Sequence, residues 1–204
     1  MKKLSLLLFA LALACLPAAA QELSQADRDK GVQYLEQTRD GVVAAVSGLS
    51  DAQMHFKPGP DRWSVAECLE HIALAEDYLF GYVSGQIMKN GPGAADRDPA
   101  KIDAAVLAMI PDRSHKAQAP AALVPTGRWA TDETLKHFLA SREKTIDFLK
   151  ATPNLRAHVA DSPIGQPLDA YEWLLFISAH SKRHTEQIDE VKADPNFPKS
   201  SQGE

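Results

Sequence analysis

Two histidines sit inside an otherwise apolar helical row, and no other feature of the chain is as hard to accommodate. The row runs Ile177, His180, His184, Ile188, Val191. Its three- and four-residue steps place these side chains on one face of an α-helix. His180 and His184 then lie about 5–6 Å apart at Cβ. A row of this composition faces a core, so the fold must bury two imidazoles side by side and give their ring nitrogens partners. A bound cation is one such partner. Hydrogen bonds to other side chains are another, and a helix turned to put both rings in water removes the demand. By itself H-x-x-x-H is a weak signal.

A second stretch bears on it. In Arg62-Trp63-Ser64-Val65-Ala66-Glu67, Ser64 and Glu67 form an S-x-x-E capping box that starts a helix. His71 follows about two turns in. If this helix packs beside the first, His71 completes a three-histidine site. Three protein ligands leave a position open for water or substrate, as in catalytic rather than structural zinc centres.

These two motifs, Arg62 to Glu67 followed by His71, and His180-Ser181-Lys182-Arg183-His184-Thr185-Glu186-Gln187-Ile188, resemble those of the DinB/YfiT-like family of four-helix-bundle metalloproteins. The likeness spans about residues 25 to 193, with only the two motifs specific. It implies a metal triad of His71, His180 and His184 and a divalent ion, zinc or nickel being the usual candidates. It also implies activities such as thiol transfer to electrophiles or metal-dependent hydrolysis of a small-molecule substrate. Three imidazoles suit several transition metals, so ligand type alone does not choose the ion. The residues do not single out a general base. Glu67 reads either as a cap or as a carboxylate orienting His71, so a non-catalytic metal- or small-ligand-binding module is the competing reading. A homodimer is left open.

The rest of the pattern is helical. Leu35, Thr38, Val42, Val46 and Leu49 mark helix one between Leu23 and Leu49, and Ser50 to Asp61 form a connection. Val65, Leu69, Ile72, Leu79, Val83 and Ile87 mark helix two, running to Lys89 before Asn90-Gly91-Pro92-Gly93. Leu135, Phe138, Leu139, Ile146 and Leu149 mark helix three, from Asp132 to Lys150. After a loop from Thr152 to Pro167, Asp169 caps helix four, with Glu172 three residues on. No segment alternates long enough to build a sheet. The expectation is therefore all-α: a four-helix bundle with a long connection, residues 91–128, between helices two and three. Glu76 and Arg142 fall in inward stripes and read as a buried pair near the site, unless either snorkels to water. If Arg142 reaches the site it is a candidate clamp for an anionic substrate group. His55, His115, His137 and His158 read as surface or loop histidines.

Length and charge set the remaining bounds. The 204 residues suggest one domain, and a net charge of −5 gives no electrostatic case for nucleic acid. Residues 1–20 have the basic start, apolar run and Ala18-Ala19-Ala20 end of a signal peptide, too short for a stable membrane span. Export to the periplasm or beyond is expected, with lipidation at Cys15 as the minority alternative. Cys68 then remains as a lone thiol and reads as a small buried hydrophobe rather than a ligand. Residues 21–193 form the DinB-like domain, and 194–204 read as a disordered tail.

Overall fold

The computed structural model describes residues 22–114 and 116–199, so the expected signal peptide, Cys15 and His115 lie outside the described residues. In chain order the helices are α1 (Gln25–Val46), α2 (Asp51–His55), α3 (Val65–Gly85), α4 (Pro99–Met109), α5 (Thr131–Ala151) and α6 (Ala170–Lys192). A two-residue antiparallel ladder, β1 (Val159–Ala160) with β2 (Leu168–Asp169), is the extent of strand pairing among the described residues. The fold is all-α, and α1, α3, α5 and α6 are the expected helices one to four. None of the helices is long and apolar enough to cross a membrane.

Caps decide where the helices begin. Ser64 Oγ accepts from Glu67 N–H at 3.2 Å, while the Glu67 carboxylate accepts from Ser64 N–H at 2.7 Å. Asp169 and Glu172 repeat the exchange at 2.8 and 2.6 Å. A third box, Ser50 with Gln53, starts α2 inside the stretch expected to be a plain connection. Helix two ends earlier than expected, at Gly85, and a 3-10 turn, Ile87–Lys89, carries the chain to Asn90. The short apolar piece at 102–110 is most of α4, which Asp98 caps ahead of Pro99. The tail is not free from Asp194. Phe197 packs edge-on to Phe56 at 5.6 Å, and the Pro198 carbonyl accepts from Gln53 Nε2 at 2.9 Å.

Helix directions follow from which ends meet. Tyr171 donates to the Asp27 carbonyl and Lys192 to the Ala45 carbonyl, so α1 and α6 run parallel. Arg28 instead reaches the Leu149 carbonyl at the far end of α5, so that pair is antiparallel. Asp77 meets Ser141, and Phe80 meets Phe148, so α3 and α5 are parallel neighbours. A helix of this length is about 30 Å long. The chain leaving α3 must climb back that distance before α5 can start, which explains residues 86–130. Gly31 leaves room on α1 for side chains of α6 and α5, since a Cβ there would stand 2.7 Å from the Tyr171 ring and 2.9 Å from Leu149.

The apolar interior falls into two clusters. One is built around Leu35, Leu79, Ile146, Leu174 and Ile177, the other around Val42, Leu69, Phe138, Ile188 and Val191. Between them lies Arg142, fully buried. Its Nε and Nη2 donate to the two oxygens of Glu76 at 3.0 and 2.6 Å. Nη2 also reaches Ser181 Oγ at 2.7 Å, and Nη1 reaches the Leu35 carbonyl and Thr38 Oγ1 at 2.8 and 2.7 Å. The five N–H groups of a guanidinium are all spent. Thr145 Oγ1 donates to Glu76 Oε1 at 2.7 Å, closing a network that touches all four long helices. Removing one member of a buried ion pair strands the other charge and costs about 3–5 kcal/mol. Arg142→Leu should therefore lose that much stability in urea denaturation. The Glu76→Leu/Arg142→Leu double variant should recover most of it, and an additive further loss would contradict the pairing.

A second buried cluster sits where α6 begins. Arg156 donates to Asp103 at 2.7 and 2.8 Å and to Asp169 at 3.2 Å, and Arg97 donates to Glu172 at 2.5 Å. Three carboxylates thus share two guanidiniums. Burial, reinforced by the Asp169 charge and opposed by Arg97, pushes the Glu172 carboxyl up to about 7. A carboxyl raised in the folded state gives its full stability below its unfolded value, about 4.3, and loses it as pH rises through 7. Glu172→Gln keeps the cap and removes the titration. Its melting temperature should gain on that of the unmodified chain as pH goes from about 5 to about 8, and parallel curves would refute the assignment.

Candidate metal centre

His71 leaves α3 toward α6, and His180 and His184 leave successive turns of α6 toward α3. One ring nitrogen from each lies within 4.8 Å of those of the other two. The structure therefore brings the three predicted histidines together. Among the described residues no other group of His, Cys, Asp or Glu has this arrangement. His71 and His184 are buried and His180 is partly exposed. Trp63 covers the cluster, its ring centroid 4.8 Å from that of His71 and 6.2 Å from that of His184, and Phe176 stacks on His180.

The hydrogen bonds set the tautomers. His71 Nδ1 lies 2.7 Å from the Leu123 carbonyl, which can only accept, so Nδ1 carries the proton and Nε2 keeps its lone pair. His184 Nδ1 lies 2.8 Å from Gln187 Oε1, which fixes the same tautomer there. His71 Nε2 is 3.3 Å from His180 Nε2. Two lone pairs facing each other at that distance repel, so either a proton or a cation must lie between them. A tetrahedral ion with nitrogens at about 2.1 Å sets them about 3.4 Å apart, which this pair already meets.

Electrostatics point the same way. Burial, with the charge of His71 next, holds His184 down to about 3. His71 is lowered by burial alone, the Leu123 carbonyl working against it, and His180 is lowered by burial and by both neighbouring histidines. All three are neutral at pH 7, the protonation state that a metal ligand needs. Of the other histidines, His55 is exposed, His158 is half-buried and bonds the Asn90 carbonyl, and His137 pairs with Asp77 at 2.5 Å and stacks on Trp129. None joins the cluster.

Two readings of neighbouring residues that the sequence left open are decided. Glu67 caps α3 and takes Lys57 Nζ at 2.8 Å, and it is the Leu123 carbonyl that orients His71. Arg142 cannot clamp a substrate, because every donor it has is held inside the bundle. Cys68 is fully buried, its thiol pushed up to about 12, and stays a core residue. Glu70, Leu123, Gln187 and Arg113 matter in ways that sequence reasoning missed. Arg113, from the long connection, donates to Gln187 Oε1 at 3.3 Å and brackets Glu190. Gln187 lay inside the quoted motif, three residues after His184. Glu70 stands next to His71, but its role, like those of Leu123 and Arg113, shows only in tertiary contacts.

The family model described as the DinB superfamily matches residues 34–188. The uncharacterised protein YuaE of Bacillus subtilis (strain 168) is 26% identical over 149 residues, covering 72% of this chain and 88% of that protein. The structure is also similar to that of Bacillus subtilis YfiT, described as "a probable metal-dependent hydrolase with an unusual four-helix bundle topology". There the TM-score is 0.53 at 15% identity, over 83% of this chain and 88% of that one.

A histidine lowered by burial supports folding above its unfolded value and withdraws that support as pH falls toward the folded one. Metal-free protein should therefore lose thermal stability as pH drops from about 6.5 toward 4. Thermal stability that stays flat over that range would show that the rings titrate as solvent-exposed ones do. Zinc titrated at pH 7 should bind in equal stoichiometry with the protein, since the lowered folded rings are neutral there.

Proposed function

Since the chain belongs to the DinB superfamily, we propose that His71, His180 and His184 hold a divalent metal ion, zinc or nickel, and that the protein is a metal-dependent hydrolase of a small-molecule substrate. The observation that carries this is the convergence of nitrogens from three neutral imidazoles, two of them buried, and in those two, His71 and His184, the opposite ring atom is already engaged. A divalent ion in this position would supply Lewis acidity and lower the pKa of a water toward neutrality. The chain's own contribution is to keep His71 and His184 in one tautomer, to exclude water with Trp63, and to leave His180 as the partly exposed edge through which a substrate approaches. Hydrolysis is preferred over thiol transfer because the chain carries the pattern of an exported protein, and reduced small thiols belong chiefly to the cytoplasm.

A binding module without turnover is favoured by one fact. The carboxylates nearest in sequence to His71 are committed elsewhere, Glu67 to its cap and Glu70 to a loop. Metal analysis of the protein as purified, followed by assays on esters and amides with and without chelator, separates the two. The expected result is an equimolar ion and hydrolysis that chelator abolishes. His184→Ala should lower metal content and reduce turnover to background. Metal bound with no turnover on either class supports the binding module. Turnover that survives in His184→Ala places the chemistry elsewhere.

A further inference from the structure

Glu70 is buried, immediately precedes His71, and has no role in the bundle core. Its Oε1 accepts from the backbone N–H of Thr126 at 3.0 Å and of Arg128 at 3.1 Å, and its Oε2 from Gly127 N–H at 2.8 Å. Three successive amides wrapped around one carboxylate form a nest, and Gly127 supplies the left-handed residue, φ 71°, that turns them inward. The nest stands three residues after Leu123, whose carbonyl receives the His71 Nδ1 proton. Two adjacent side chains on α3 therefore grip the same loop, Glu70 by its amides and His71 by its carbonyl. A loop carbonyl orders a histidine only as well as the loop itself is ordered.

We infer that Glu70 is a positioning residue of the metal centre: by clamping Thr126, Gly127 and Arg128 it holds the Leu123 carbonyl against His71 Nδ1, so that His71 Nε2 stays deprotonated and aimed at His180. This rests on the metal reading above, yet it makes a claim about the metal-free protein as well. Without the clamp Leu123 retreats, Nδ1 loses its acceptor, and the His71 proton is free to move to Nε2, where it blocks ligation. Partners that orient a metal-binding histidine typically contribute 10–100-fold in affinity.

Two variants test it. Glu70→Ala removes the acceptor, and Gly127→Ala strains the left-handed turn while leaving every charge in place. No atom lies within 4 Å of a Cβ at Gly127, so its effect is on the backbone conformation and not on packing. Both would be followed by circular dichroism for helix content, by zinc titration against a competing chelator, and by ¹⁵N-resolved NMR of the metal-free imidazoles. The expected result is native helix content, zinc affinity lower by about 10–100-fold, and a His71 signal moved from the Nδ1–H toward the Nε2–H pattern. Glu70→Gln, which keeps one acceptor oxygen, should fall between. Wild-type affinity with His71 still in the Nδ1–H form in both folded variants would overturn the inference. If Glu70→Ala does not fold, Gly127→Ala decides alone. If the unmodified protein binds neither zinc nor nickel, the metal reading fails, and the tautomer of His71 in the variants still decides the role of Glu70.

Discussion

Arg142 is the constraint on which the bundle depends. A fully buried guanidinium must find five acceptors or the fold does not form, and the ones it finds lie on α1, α3 and α6, with Thr145 of its own helix completing the Glu76 carboxylate. Two apolar clusters on either side supply most of the burial free energy, but apolar contacts tolerate sliding and rotation. The guanidinium does not, because its donors form a rigid planar fork. It therefore fixes the rotation of α6 at Ser181, one residue from His180, and that of α3 at Glu76, five residues beyond His71. The ligand rings meet because this polar layer has already set the helices that carry them.

The long connection follows from the same arrangement. Parallel packing of α3 against α5 forces the chain to retrace the bundle, and what looks like an insertion is the return path. Its route is used. Leu123 from this segment orients His71, and Arg113, through Gln187, supports His184. The connection thus lies against both helices that carry the triad, supplying the outer partner of His71 and bracing that of His184, which α6 itself provides. Such support is what separates a precise ligand set from three histidines that happen to be close.

Much of this was legible in the residues. The stripes of all four long helices were visible because each carries a clear 3.6-residue period, and the Ser64–Glu67 and Asp169–Glu172 boxes placed two starts to the residue. The inward position of Glu76 and Arg142 showed from the same periods. The end of α3 did not show, since Gln86 to Lys89 keeps apolar residues in phase while the backbone tightens to a 3-10 turn. Nor did α2, only five residues long, or the docking of Phe197, which depends on Phe56 far away in sequence. The role expected of Arg142 failed for a related reason. Periodicity reports that a charge is buried, but not how many acceptors the other helices bring to it.

Three buried polar groupings among the described residues differ in how they are satisfied, and the difference bears on what the molecule is for. Around Arg142 donors and acceptors match, with charge cancelled internally. Around Arg156 three carboxylates face two guanidiniums, and a single proton on Glu172 restores balance. The histidine cluster has no opposite charge to draw on, and burial denies it protons. Its lone pairs converge from two helices with nothing of the chain's own to receive them all. A polar layer built only for stability would resemble the first two. The third leaves converging lone pairs that an electron-poor group from outside can receive, and a divalent cation meets that description with the least rearrangement.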